Sequence, residues 1–247
     1  MTSLASHAPP RAERRWAYFL DVDGTLLDFA STPDGAQVGA GTLALLRRLH
    51  DATGGAVALI SGRALRDVER LFAGLTLAVA GQHGLEGRDA DGTVTWMVEP
   101  GPMHDDLKRQ LQAFVTENPS LILEDKGVSF AVHYRAAPQL DDLVRRRLES
   151  IHARLDATYV VAPGKQVLEI RPVGATKGDA IRVFMRITPF EGRLPVFVGD
   201  DVTDEAGFAM VNDRGGHSVK VGDGESIARW RLTDTAAVAE WLETALR

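Results

Sequence analysis

The sequence predicts an α/β protein in which a mostly parallel sheet is interrupted by a smaller antiparallel α+β unit. Three observations carry that expectation. Short apolar runs alternate with helix-period segments at both ends of the chain, the pattern of βα units. Between residues 101 and 173 the order changes to helix, strand, strand, and does so twice. Acidic clusters follow two of the apolar runs, where open α/β sheets place their ligands, beyond the carboxyl ends of the strands.

Taken in order, Trp16–Leu20 reads as a buried strand. A helix over Gly41–His50 sets Leu43, Leu46 and Leu49 on one face, and Ala56–Ile60 is the second strand. Leu65, Val68, Leu71 and Phe72 recur at helical spacing within Ala64–Phe72, and Leu77–Ala80 makes a third strand. In the interrupting unit a helix over His104–Glu117 precedes strands at Leu121–Glu124 and Val128–Tyr134. A second helix over Pro138–Leu155 precedes strands at Tyr159–Val161 and Val167–Ile170. The βα alternation then resumes: a helix at Lys177–Ile187, a strand at Leu194–Val198, a short helix after Thr203, a strand at Ser218–Val221 and a terminal helix carrying Val238, Trp241, Leu242 and Leu246. The expected organisation is a disordered tail over residues 1–15, a discontinuous core over 16–100 and 174–247, and an inserted unit over 101–173.

Composition bounds the chemistry. The 247 residues carry 28 Lys and Arg against 34 Asp and Glu, a net charge of −6, with 45% hydrophobic and 25% charged residues. Such a balance lacks the basic surface that a nucleic-acid backbone requires, so no nucleic acid is expected as a partner. The absence of cysteine excludes disulfides, thiolate metal sites and a thiol nucleophile. No apolar run approaches the ~20 residues of a membrane span. The first fifteen residues hold three Arg and no apolar signal region, so no membrane association and a cytoplasmic location are expected.

The first candidate site is Asp21-Val22-Asp23-Gly24-Thr25, directly after the first strand. Turns use Asp and Gly in the same way, and Asp89-Ala90-Asp91-Gly92-Thr93 repeats the pattern with no apolar strand before it; that copy reads as a hairpin turn. Position distinguishes the two. A second cluster, Asp200, Asp201, Asp204 and Glu205, follows the strand ending at Val198. Four acids in six residues repel one another unless a cation or specific donors compensate, and Mg²⁺ suits a few carboxylates with a substrate phosphate oxygen. Asp204 and Glu205 also fit the acidic first turn of a helix, which leaves open whether Asp201 or Asp204 assists the metal. EF-hand spacing fails at both clusters. Ser61-Gly62-Arg63 follows the second strand and opens a helix, a geometry that serves either a phosphate or an N-cap. Lys177 begins a helix, where the dipole disfavours a cation, so an anion is expected to hold it there. Walker A, nucleophile-elbow and paired-histidine zinc motifs are absent.

In order along the chain, four motifs therefore stand at strand or helix ends: LDVDGT, LISGR, Lys177 and VGDDVTDE. Together they resemble the haloacid-dehalogenase (HAD) superfamily of phosphohydrolases across essentially the whole chain. Within it, the GDDVTDE form, AGQHGLE at Ala80–Glu86 and PGKQVLEIRP at Pro163–Pro172 resemble the trehalose-6-phosphate phosphatases. The resemblance implies a HAD-like Rossmannoid core with an α+β cap. It implies Asp21 as nucleophile, Asp23 as general acid and base, and Lys177 and Ser61 as phosphate clamps. It implies Mg²⁺ held by Asp21, Asp200 and the Asp23 carbonyl, with Asp201 nearby. Glu124, Lys126 and Glu169 match sugar-contacting positions of that family, with Gly62, Arg63, His83 and Arg135 as further substrate contacts and cap closure over the site. The implied partner is a small sugar phosphate handled by a monomer, with a functional link to a trehalose-6-phosphate synthase. Another sugar phosphate such as sucrose 6-phosphate, a non-catalytic sensor and a phosphoryl-transferring mutase stand as alternatives.

Overall fold

The computed structural model describes residues 8–28, 36–96, 103–155, 159–164, 166–173 and 176–247. The chain divides into two compact units, one of residues 1–95 with 176–247 and one of residues 96–175. In chain order, the first unit opens with β1 (Ala17–Leu20), α1 (Ala40–Ala52), β2 (Val57–Ile60), α2 (Leu65–Leu71), β3 (Ala78–Gly81), β4 (Glu86–Arg88) and β5 (Val94–Trp96). The second unit contains α3 (His104–Glu117), β6 (Ile122–Asp125), β7 (Phe130–His133), α4 (Asp141–His152), β8 (Tyr159–Gly164) and β9 (Val167–Pro172). The first unit resumes with α5 (Lys177–Phe184), β10 (Pro195–Gly199), α6 (Glu205–Asp213), β11 (His217–Val221), β12 (Trp230–Leu232) and α7 (Thr235–Glu243).

The first unit is a three-layer α/β/α fold. Its sheet has the order β12-β11-β10-β1-β2-β3-β4-β5, parallel from β12 to β3 and antiparallel at β3–β4. The central strands are covered on both faces, which is why AYFL, VALI and PVFVG read as continuous apolar runs instead of alternating ones. Strand period still sorts the side chains. Tyr18, Leu20, Leu59, Val196 and Val198 pack with Leu46 and Leu49 of α1 and Trp241 and Leu242 of α7. Ala17, Phe19, Ala58, Ile60 and Phe197 pack on the other face with Ile181 and Phe184 of α5 and Phe208 and Val211 of α6. β1 has β2 on one side and β10 on the other, so the chain order reverses there. That switch point is where such sheets open a crevice beyond their carboxyl ends.

In the second unit, α3 and α4 cover one face of an antiparallel sheet of order β6-β7-β9-β8. Leu107, Leu111, Phe114 and Val115 from α3 and Val144, Leu148 and Ile151 from α4 meet Phe130, Val132, Leu168 and Ile170. The alternate residues of the same strands therefore point away from this core. Glu124, Ala131, Glu169 and Ala162 stand in register across all four strands.

Residues 8–15 correct the expectation of a disordered tail; residues 1–7 lie outside the described part of the chain. The Ala12 N–H donates to Thr244 Oγ1 at 3.1 Å, Arg14 donates to the carbonyls of Ala245 and Leu246 at 3.0 and 3.1 Å, and Trp241 Nε1 donates to the Pro10 carbonyl at 2.8 Å. Ala12 is buried in the core cluster of that face. Polar composition suggested disorder, but the segment meets the unpaired carbonyls at the chain's C-terminal helical end. The helix expected over Pro138–Leu155 is a 3₁₀ turn, Pro138–Leu140, followed by α4. β4 and β12 are three-residue strands too short for periodicity to reveal. Among the described residues, no helix is long and apolar enough to cross a membrane.

Replacing Trp241 by Phe removes the bond to Pro10 and part of a packed ring. The expected loss is about 1–2 kcal/mol of unfolding free energy, read as a lower melting temperature. An unchanged melting temperature shows that the N-terminal segment adds no stability.

Candidate active site

β1 ends at Leu20, and the chain keeps its place beside β10 for one further residue, the Asp21 N–H donating to the Val198 carbonyl at 3.0 Å. It then closes a compact loop: Leu26 and Leu27 N–H both donate to the Val22 carbonyl at 3.0 Å, and Gly24 N–H donates to Leu27 at 2.6 Å. Val22, wholly buried, anchors the loop. Gly24 has φ +82°, and a Cβ there would lie 2.3 Å from Asp200 Oδ2. Only glycine permits both that backbone and that approach. The hairpin reading of the second copy holds: Asp89 N–H donates to Thr93 O, and Asp89 Oδ1 accepts from the N–H groups of Asp91 and Thr93.

The centre of the site is a buried ion-pair cluster. Lys177, 3% exposed at the first position of α5, donates from Nζ to Asp21 Oδ1 at 2.7 Å and to Asp204 Oδ1 at 2.5 Å. The anions that hold this cation at a helix N-terminus are thus two of the protein's own carboxylates. Thr176 fixes the helix start through a capping box with Asp179. Carboxylate oxygens of Asp21, Asp200 and Asp204 lie within 4.8 Å of one another. Of the two residues left open by the sequence, Asp204 joins this cluster. Asp201 stands exposed and turns its carboxylate back to accept from Val202 N–H at 2.7 Å, capping the 3₁₀ turn Val202–Asp204. Asp204 also accepts from Asp201 N–H at 2.8 Å, so both its oxygens are engaged.

Asp200 differs: its Oδ1 is buried and accepts no hydrogen bond. An orphaned carboxylate oxygen beside two further acids is a donor set that fits a small, hard cation such as Mg²⁺. The electrostatics agree. Burial raises Asp21 well above the usual carboxylate range, Lys177 opposes that, and Asp204 and Asp200 add to it. Burial, then Asp204, pushes Asp200 up to about 6. Lys177 is raised despite desolvation, because Asp204 and Asp21 favour its charge. Lys220, buried on β11, donates to the carbonyls of Asp200 and Val221 and so ties down the loop that carries the orphaned oxygen. Sequence reasoning missed this residue; a lone lysine within the run HSVKV is its signal.

Around the cluster, Asp23 forms a bidentate pair with Arg63, Nε to Oδ2 at 2.7 Å and Nη2 to Oδ1 at 2.6 Å. Ser61 is 1% exposed and is not the cap of α2, a position that Ala64 holds. Its Oγ accepts from Arg63 N–H at 3.1 Å, leaving the hydroxyl hydrogen to donate. His83 lies over Gly62, where a Cβ would be 2.7 Å from its Cε1.

In the second unit, the sheet face opposite the core carries a second polar group. Glu169 Oε1 accepts from Ser129 Oγ at 2.8 Å and from Lys126 Nζ at 3.2 Å. Glu124 Oε2 pairs with His133 Nε2 at 2.8 Å. Glu124 is lowered although burial raises it, because the His133 bond and the Lys126 charge outweigh desolvation. Ser129 and His133 were not foreseen, though strand alternation puts His133 on the face of Glu124. Arg135 lies in an exposed turn after β7.

With raised carboxylates, the ion-free site stabilises the fold most when protonated: that contribution is full below the unfolded value near 3.8 and is lost as pH rises through about 6. In EDTA the melting temperature of the protein should therefore fall more steeply between about pH 4 and pH 7 than that of Asp200→Asn. Mg²⁺ should restore stability at the upper pH and add little at the lower. A Mg²⁺ effect that is equal at both overturns the assignment of the cluster as a cation site.

A family model described as trehalose-phosphatase matches residues 19–237. The chain is 42% identical to the trehalose-6-phosphate phosphatase of Escherichia coli K12, covering 95% of this chain and 88% of that one. It is likewise 42% identical to a probable trehalose-phosphate phosphatase of Sinorhizobium fredii, over 84% of this chain and 78% of that protein. Among solved structures, a trehalose-6-phosphate phosphatase related protein superposes with a TM-score of 0.80 at 25% identity, covering 93% of this chain and 96% of that chain. The Asp21–Lys177–Asp204 cluster, the orphaned Asp200 oxygen and a match running from Phe19 in β1 to Ala237 in α7 together place this chain in the trehalose-phosphatase family.

Proposed function

We propose that this protein is a Mg²⁺-dependent phosphatase that hydrolyses trehalose 6-phosphate to trehalose and inorganic phosphate. The observation that carries the reading is a buried carboxylate, Asp21, held by Lys177 at the carboxyl end of β1 in a chain of this family. Asp21 attacks phosphorus; the P–O bond to the sugar breaks as the P–O bond to the carboxylate forms, giving an aspartyl phosphate. Asp23 supplies the proton that the departing sugar oxygen takes up, then removes one from the water that cleaves the intermediate. In the resting structure the Asp23 carboxylate is gripped by Arg63, so proton transfer follows opening of that pair, and a substrate phosphate competes for the guanidinium. Ser61 donates its hydroxyl to a non-bridging oxygen, and Lys177 offsets charge on the same group. Mg²⁺, when bound by Asp21 and Asp200 with the Asp23 carbonyl, neutralises the negative charge that otherwise sets an anionic nucleophile against an anionic phosphate. Asp204 keeps Lys177 in place, and Asp201 shapes its loop.

We assign disaccharide recognition to Glu124, Lys126 and Glu169, with His83 and Arg135 as further contacts. Two carboxylate acceptors with an ammonium donor suit a polyol, and Ala131 between the two acids leaves the face free of bulk. A cytoplasmic enzyme of this kind draws its substrate from a trehalose-6-phosphate synthase. A sensor needs neither nucleophile nor acid, and both Asp21 and Asp23 are present. The names of the similar proteins favour trehalose over sucrose as the sugar.

With Mg²⁺ present, phosphate release from trehalose 6-phosphate should exceed that from sucrose 6-phosphate or glucose 6-phosphate by about 100-fold or more in kcat/KM. EDTA should abolish it, and Asp21→Asn should cost about 10³-fold or more in kcat with the melting profile retained. Equal turnover of the three sugars overturns the substrate, and an active Asp21→Asn overturns the nucleophile.

Glu124→Ala and Lys126→Ala should each lower kcat/KM for the disaccharide by about tenfold or more while changing turnover of p-nitrophenyl phosphate by less than about threefold. Parallel losses on both substrates remove these residues from sugar recognition.

A further inference from the structure

Two successive non-glycine residues lie in the left-handed region, Gln82 at φ +48° and His83 at φ +60°. Backbone of this kind persists only where its surroundings over-determine it. Here the surroundings are the loop that carries Ser61. Ser61 N–H donates to the Ala80 carbonyl at 2.8 Å, Gln82 N–H to the Arg63 carbonyl at 2.8 Å, and His83 N–H to the Ser61 carbonyl at 2.9 Å. The left-handed pair thus turns both N–H groups onto the carbonyls of residues 61 and 63, and the two loops are joined as a short ladder.

Behind that ladder lies Glu86, the first residue of β4 and only 4% exposed. Its Oε1 accepts from Gln82 Nε2 at 2.9 Å and from Leu65 N–H at 2.6 Å. Leu65 opens α2, whose cap residue Ala64 has no side chain with which to satisfy that N–H. One carboxylate therefore grips the side chain that sets the left-handed turn and the backbone that follows the Ser61–Arg63 loop. The packing leaves no slack: a Cβ on Gly81 would meet Leu65 N at 2.8 Å and Glu86 Oε1 at 3.0 Å, and one on Gly62 would strike the His83 ring. The chemistry described above makes no direct use of Glu86.

We propose that Glu86 is a positioning residue for phosphate binding: through Gln82 and the Leu65 N–H it fixes the Ser61–Arg63 loop so that the Ser61 hydroxyl meets the transferred phosphoryl group. This rests on the reading of Ser61 as a phosphate ligand. Removing the brace leaves Asp21, Lys177 and Asp200 in place and lets the Ser61 loop relax, so the loss falls on kcat and on affinity for the phosphate product.

The test is a double-mutant cycle of Glu86→Ala with Ser61→Ala in the full chain with Mg²⁺, using trehalose 6-phosphate as substrate and inorganic phosphate as competitive inhibitor. Glu86→Ala should lower kcat and weaken phosphate inhibition by about tenfold each. Glu86→Gln, which keeps an acceptor oxygen, should recover most of both, and Glu86→Ala should add little to Ser61→Ala. If Glu86→Ala does not fold, Gln82→Met takes its place in the cycle, since it removes the side-chain amide of the brace and leaves the Glu86 carboxylate on the Leu65 N–H. An effect that multiplies in full on top of an impaired Ser61→Ala overturns the brace and leaves the phosphate-ligand reading standing. Unchanged phosphate inhibition in Ser61→Ala alone overturns that reading, and the brace with it.

Discussion

The Lys177 ammonium, buried between Asp21 and Asp204, is the interaction on which the first unit is organised. Burying three ionised groups together is expensive unless every one of them is paired. The arrangement achieves this by drawing on three separate parts of the sequence: the end of β1, the start of α5 and the turn after β10. Each part has its own device for holding its residue in place. Val22 plugs the first loop into the core, the Thr176–Asp179 box sets the first turn of α5, and Asp201 caps the turn that presents Asp204. Loss of any of these leaves a buried charge without its partner, so the local capping chemistry and the electrostatics of the cluster form one system.

That pairing is incomplete by design of the residues themselves. Lys177 balances one of the three carboxylates, and Lys220 spends its donors on carbonyls. The remaining negative charge is concentrated at Asp200, whose inner oxygen has no donor. A protein that carries a net charge of −6 and takes an anionic substrate therefore keeps its most strongly raised acids at the one place where a dication can reverse their cost.

Much of this was legible in the sequence because buried parallel strands write themselves as short apolar runs, and the residues just beyond such runs fall at the sheet's carboxyl edge. Asp21, Ser61 and Asp200 were found by that rule, Lys177 by its place at a helix start that disfavours a cation, and helix α3 was read to its residue from the spacing of Leu107, Leu111 and Phe114. Side-chain direction was not legible. Asp201 and Asp204 are both acids in one turn, and only the 3₁₀ geometry sends one outward to cap and the other inward to Lys177. The pairing of Asp23 with Arg63 joins residues 40 positions apart, and neither spacing nor composition encodes it. His133 acts through Glu124 in the neighbouring strand β6, so its role depends on register, which short four-residue strands do not specify by themselves. Glu86 acts through Gln82 in the turn after β3 and the Leu65 N–H at the start of α2, a meeting of distant segments that spacing does not encode.

The docking of residues 10–14 against residues 241–246 brings the two ends of the described chain to one edge of the first unit. Those ends can accordingly be joined by a short peptide and the chain reopened at the exposed Asp91–Gly92 turn without crossing a central strand. A circular permutant built this way moves the Asp21 loop into the C-terminal part of the polypeptide and places Ser218, Lys220 and the whole of β10 before it. Because every contact of the buried cluster is made in space between distant segments, the order in which a ribosome delivers those segments is free to change while the charge pattern they assemble stays the same.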